Sequence, residues 1–194
     1  MKHYLHILFV LGLLAFWPVF QAHSQELAIK SNIFGDALLS PNLGVEFAVS
    51  SQWTLDFIAH YQPFTTSENH RFKHWFIQPE ARRWLCTTFA GHFFGAHLLG
   101  GRYNIGNVHL PFGLFKGIRD YRYEGWAVGA GLSYGYHWVL SSRWSVEASL
   151  GLGIVYMGYD RFNCGHCGKK LQYNGHKTYL GPTKASISLI YMIK

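Results

Sequence analysis

The stretch Cys164-Gly165-His166-Cys167-Gly168-Lys169-Lys170 carries the densest set of chemically capable side chains in the sequence. Two thiols three positions apart with a histidine between them match half of a zinc knuckle, and His176 offers a further imidazole. The same pair can close a disulfide that staples a loop, or cycle as a redox couple. A structural zinc site ordinarily shows a second ligand pair, and a thioredoxin-like site needs a βαβ surround that this sequence lacks. A disulfide is therefore the first expectation for Cys164 and Cys167. A structural zinc with His166 or His176 is the second, and no other cofactor is expected.

A second constellation is Ser133, His137, Ser145, Glu147 and Ser149, which alternate along two neighbouring segments and share one face. A Ser-His-carboxylate hydrolase can be drawn from these types. An internal hydrogen-bond network accounts for them equally, as it does for His60 and His97. The sequence holds no G-x-S-x-G elbow, phosphate loop or zinc-protease helix motif, and no catalytic residue is assigned.

The elements that must position these groups read as strands. Trp126, Val128, Ala130, Leu132, Tyr134, Tyr136 and Trp138 alternate with Gly125, Ala127, Gly129, Gly131, Ser133, Gly135 and His137, a period of two. The same alternation runs through Leu43 to Val49, Trp53 to Gln62, Trp144 to Tyr156 and Thr183 to Ile193, with the last placing Thr183 on the apolar face. Weaker segments at Leu27 to Phe34, Trp75 to Leu85 and His92 to Tyr103 complete eight. Pro79 removes a ladder donor inside one of them and predicts a bulge there.

One face of these strands is bulky and aromatic, and the other is glycine, serine and scattered charge. A soluble sandwich would put the bulky face inside and cover the rest with charge, yet only 14% of residues are charged. The pattern instead predicts an all-β, eight-stranded, antiparallel up-and-down transmembrane β-barrel of the OmpA or OmpX type, apolar outside and narrow inside. Glu46, Asp56, Glu80, Arg82, Arg102, His137, Glu147 and Lys184 are then assigned to the lumen, where buried charges persist as paired networks. Such a network makes a wide pore unexpected.

Residues 1–24 read as a cleaved signal peptide, with Lys2, an apolar run from Leu5 to Phe20 and a small-x-small site at Ala22-His23-Ser24. This leaves residues 25–194 as the barrel domain and places the protein in the outer membrane. Connectors alternate between short (Ser50 to Gln52, Cys86 to Gly91, Leu140 to Arg143) and generally longer, as expected for periplasmic turns and external loops. The mature charge of +6 resides in three long connectors: Pro63 to His74 (+1), Asn104 to Tyr123 (+2) and Asp160 to Thr178 (+3). Arg71, Lys73, Lys116, Arg119, Arg122, Lys169 and Lys170 are therefore the candidate partner-binding residues. Anionic lipopolysaccharide or an acidic surface protein suits such a crown, and nucleic acid does not.

The segments Pro41 to Phe47, His74 to Arg82, Leu110 to Phe115, Tyr121 to Trp126, Cys164 to Lys170 and Gly181 to Ala185 resemble a domain-of-unknown-function family of Bacteroidales outer-membrane proteins, DUF3575. The resemblance spans essentially the whole mature chain. It implies an outer-membrane barrel and a link to surface fimbriae, because its members are often encoded beside fimbrial-subunit genes, and it implies no established activity. The expected function is a non-enzymatic barrel that contacts outer-membrane lipid, lipopolysaccharide and fimbrial or other surface proteins. A lipid-modifying barrel enzyme and a narrow solute channel are the alternatives.

Overall fold

A strand with bulky residues at alternate positions and small or polar residues between them has two unlike faces. Rolling one sheet onto itself separates those faces completely, bulky outward and small inward. The computed structural model describes residues 26–37, 40–63, 65–66, 70–106, 121–163, 168 and 170–193. Its strands are β1 (Leu27–Asn32), β2 (Asn42–Ser50), β3 (Trp53–Gln62), β4 (Thr65–Thr66), β5 (His70–Trp84), β6 (Gly91–Gly106), β7 (Arg122–Val139), β8 (Trp144–Phe162) and β9 (Lys170–Met192). One short helix, α1 (Ile33–Ala37), follows β1. Eight of the strands form a single antiparallel up-and-down ring, closed where β3 meets β5 and β9 returns to β1. The two-residue β4 is a spur on β5.

The register fixes the girth of the ring. From Ala28 the cross-strand partners run through Glu46, Asp56, Glu80, His97, Gly131, Gly153 and Gly181. Ala28 itself pairs with Met192 on β9, eleven residues from Gly181 (192 minus 181). A displacement of that size tilts the strands steeply and leaves an interior that side chains alone can fill. The narrowness explains the inward glycines: a Cβ on Gly131 would sit 2.7 Å from His97 Nε2 and 2.8 Å from Thr183 Oγ1.

Two prolines correct the expected irregularities. Pro79 makes no bulge: it stays paired with Phe57 on β3, and the β5–β6 ladder skips Gln78 and Pro79 and resumes in unchanged register. One bulge falls instead at Thr183, between the pairs Gly151–Lys184 and Leu152–Pro182. It turns Thr183 into the ring, against the expectation from simple alternation. Pro182 is tolerated because β1 pairs only with Ser188–Met192, leaving this stretch of β9 without a second strand neighbour among the described residues. The Asn32 side chain covers the edge just below, accepting from Ile187 N at 3.2 Å and donating to Ala185 O at 3.4 Å.

Strands also run further than the apolar alternation. β8 continues to Phe162 and β9 starts at Lys170, so much of the expected Asp160 to Thr178 loop is an extended hairpin. Tyr123 and Tyr159 meet edge-on at 5.3 Å, the Arg122 guanidinium lies 4.1 Å above the Phe162 ring, and Lys170 Nζ is 2.7 Å from Asp160. Ring and charge contacts thus replace lipid-type apolar periodicity as the cross-strand glue. At the short-turn end the interior is closed by Ala28, Trp84, Phe89, Phe93 and Ile190. Phe89 reaches this plug from a left-handed turn (φ 57°), and Gly91 completes the bend at φ 79°.

Candidate functional site

The inward positions of six strands bring charges together directly above the aromatic plug. Arg82 on β5 is the hub and touches all four buried carboxylates. Its Nε is 2.8 Å from Glu80, its Nη1 is 2.8 Å from both Glu46 and Glu147, and its Nη2 is 2.6 Å from Asp56. Lys30 on β1 pairs with Glu46 and lies 3.1 Å from Asp56 and 3.7 Å from Glu147, while Lys184 on β9 pairs with Glu80. The hydroxyl of Thr54 donates to Glu46 at 2.5 Å and accepts from Trp84 Nε1 at 3.0 Å, tying the cluster to the plug. Ser133 donates to Glu80. Three cations thus face four carboxylates, all buried; ions so desolvated hold only with this density of pairing.

Seven of the eight residues assigned to the lumen from sequence are buried there: Glu46, Asp56, Glu80, Arg82, His137, Glu147 and Lys184. Arg102 is not. It is exposed on the outer wall, paired in register with Trp75 and Trp126, both of which also face outward. Parity excludes it, because Phe93, Gly95 and His97 point inward on β6 and even-numbered positions point out. The cation that takes its place is Lys30, hidden in the sequence by the shortness of β1. Thr183 was also missed; its hydroxyl meets His97 Nε2 at 2.9 Å because of the bulge.

The serines do not assemble around His137. Ser133 is bonded to Glu80, Ser149 to Ser186 at 2.7 Å, and His137 Nδ1 lies 3.8 Å from Glu147. His137 is packed edge-on against Trp84 and Phe89 of the plug. Towards the long-loop end the interior widens into a cavity of about 290 Å³ lined by His60, His74, Phe76, Gln78, Leu99, Val155 and Thr183, among others. Ser40 and His74 Nε2 meet at 2.8 Å beside it.

Of the expected partner-binding residues, Lys73, Arg122 and Lys170 lie on strand extensions rather than in loops, as does His176. Arg71 is on β5 by its backbone. Lys116, Arg119, Lys169 and the Cys164, His166 and Cys167 set lie outside the described residues, as does the expected leader. Among the described residues no group of three His, Cys, Asp or Glu side chains could hold a metal ion. At the hairpin, Asp160 accepts from Lys170 and from the backbone N–H of Asn174 at 3.0 Å, which holds its carboxyl below the usual range.

The outer wall is apolar through its middle, with Leu132 71%, Leu150 71% and Leu180 78% exposed. Exposed aromatics flank this belt, Trp53, Trp138 and Trp144 towards the short turns and Tyr61, Trp75, Trp126 and Tyr156 towards the long connectors. No curated protein and no solved structure gives a significant match to the chain. The family model described as Protein of unknown function (DUF3575) matches residues 9–193, and the chain belongs to that family.

Proposed function

We propose that this protein is a non-enzymatic outer-membrane β-barrel, exported by a cleaved leader, that presents its long-loop end to a surface partner. The observation that carries this reading is the inversion of the two faces. Leucine, isoleucine and tryptophan cover the outside while the ion pairs fill the inside, an arrangement that water disfavours and a bilayer favours. The flanking aromatics suit the two membrane interfaces. The basic crown, including Lys116, Arg119, Lys169 and Lys170, suits lipopolysaccharide or an acidic surface protein, and the fimbrial link that the resemblance implies makes a fimbrial component one candidate for that partner.

The test is heat modifiability of the protein extracted from the outer-membrane fraction. Faster migration before boiling is the expected result; unchanged mobility with recovery in the soluble periplasm overturns the reading. Replacing the basic crown residues with glutamine should weaken partner binding and leave the heat shift intact. A narrow channel predicts conductance in planar bilayers, which the Arg82 cluster and aromatic plug disfavour. A lipid-modifying enzyme predicts an altered acyl pattern in cells lacking the protein, and the engagement of Ser133 and burial of His137 disfavour it.

A further inference from the structure

We propose that the outer wall carries a binding site for a phosphorylated glycolipid of the surrounding leaflet, centred on Lys73 and Arg102; the proposal rests on the membrane-barrel reading. Two adjacent outward rows build it. Tyr61, Trp75, Arg102 and Trp126 are cross-strand neighbours on β3, β5, β6 and β7, and Lys73, Asn104, Glu124 and Asp160 form the next row towards the long connectors. Together they line a groove of about 490 Å³ on the wall.

The charges in this groove are not balanced within it. Glu124 faces Arg122 at 3.9 Å and Asp160 faces Lys170 at 2.7 Å, so each carboxylate has its own cation. Lys73 and Arg102 have neither an ion pair nor a side-chain hydrogen bond among the described residues, and both are exposed. An arginine on the outer face would oppose hydrocarbon in the middle of the apolar belt. At the row of Tyr61, Trp75 and Trp126 it sits where headgroups begin. A guanidinium presents a planar fork that matches phosphate, the ammonium adds a second charge about one row away, and the indoles offer flat apolar surface to a sugar or the root of an acyl chain. Charge and position together select an anchored phosphate, because a soluble one gains nothing from the flanking indoles.

The test uses full-length protein in zwitterionic detergent, with diphosphoryl lipid A and dephosphorylated lipid A as probes and inorganic phosphate as competitor. The Lys73→Gln/Arg102→Gln double variant should bind diphosphoryl lipid A at least about tenfold more weakly, the loss expected for removing charge-assisted contacts. Arg143→Gln, which removes one positive charge at the opposite rim, should bind like the unaltered protein. Equal affinity for the two lipid A forms, or unchanged affinity in the double variant, overturns the site. Displacement of lipid by millimolar phosphate would mean a free-anion site and overturns it too. The heat shift, run alongside, separates the failures: its absence in the unaltered protein overturns the barrel, whereas its presence without lipid discrimination overturns only this site.

Discussion

The two ends of the ring solve opposite problems with the same strands. At the short-turn end Trp84, Phe89 and Phe93 seal the interior, and the charges directly above them are paired with one another, three cations to four carboxylates. At the long-loop end the interior opens into a cavity beside His60 and His74, and the sheet continues outward as hairpins held by aromatic and cationic contacts. The closed end is therefore where stability is concentrated, and the open end is where composition can change without loss of the ring. Substitutions that distinguish the ends test this contrast.

The largest effect is expected at Arg82. Its replacement by methionine leaves four carboxylates with two lysines, and breaking a buried pair in this way costs about 3–5 kcal/mol. Urea unfolding in lipid vesicles should show it as a lower midpoint or a failure to form the heat-shifted band. Trp84→Ala opens the plug and removes the indole N–H that Thr54 accepts, at about 3 kcal/mol or more by the same assay. Thr183→Val keeps the shape of the bulge and removes one bond to His97, about 1 kcal/mol. A cost as large as that of Arg82→Met would show that the bulge belongs to the stabilising core rather than to the transition between the two ends.

The smallest effect concerns Asp160. A carboxyl held below its usual range in the folded hairpin contributes order above its unfolded pKa, and that contribution fades as pH falls through the folded value. Proteolysis at the hairpin tip should therefore rise with acidification while the heat shift stays unchanged. Lys170→Gln should move the onset to higher pH, since Lys170 is the main cause of the depression. An onset unmoved by that change would assign the acid sensitivity to another group.

Most of this architecture was legible in period-two alternation, which located all eight ring strands and the inward side of seven of the eight assigned lumen residues. It failed where charge was weighed above parity, as at Arg102, and where a bulge exchanged the faces, as at Thr183. The bulge expected at Pro79 is absent and Pro182 carried no expectation, because sequence does not show which edge of a strand lacks a neighbour. Lys30 was hidden by a strand of six residues, too short to display a period. The hairpin extensions of β8 and β9 look like loops in the sequence, since past the apolar belt nothing requires alternate residues to be greasy. Pairing across the ring through Arg82 had no local signal at all.

The membership of that cluster constrains the order in which the chain can assemble. Lys30 comes from the first strand, Glu147 and Lys184 from the last two, and Glu46, Asp56, Glu80 and Arg82 from those between. A chain emerging from its N-terminal side would hold Glu80 without its lysine partner until β9 delivers Lys184. A half-closed sheet would expose unneutralised ions to whatever surrounds it, so partial rings have no resting place. Closure should consequently behave as a single concerted event, with the seam between the first and last strands its final step.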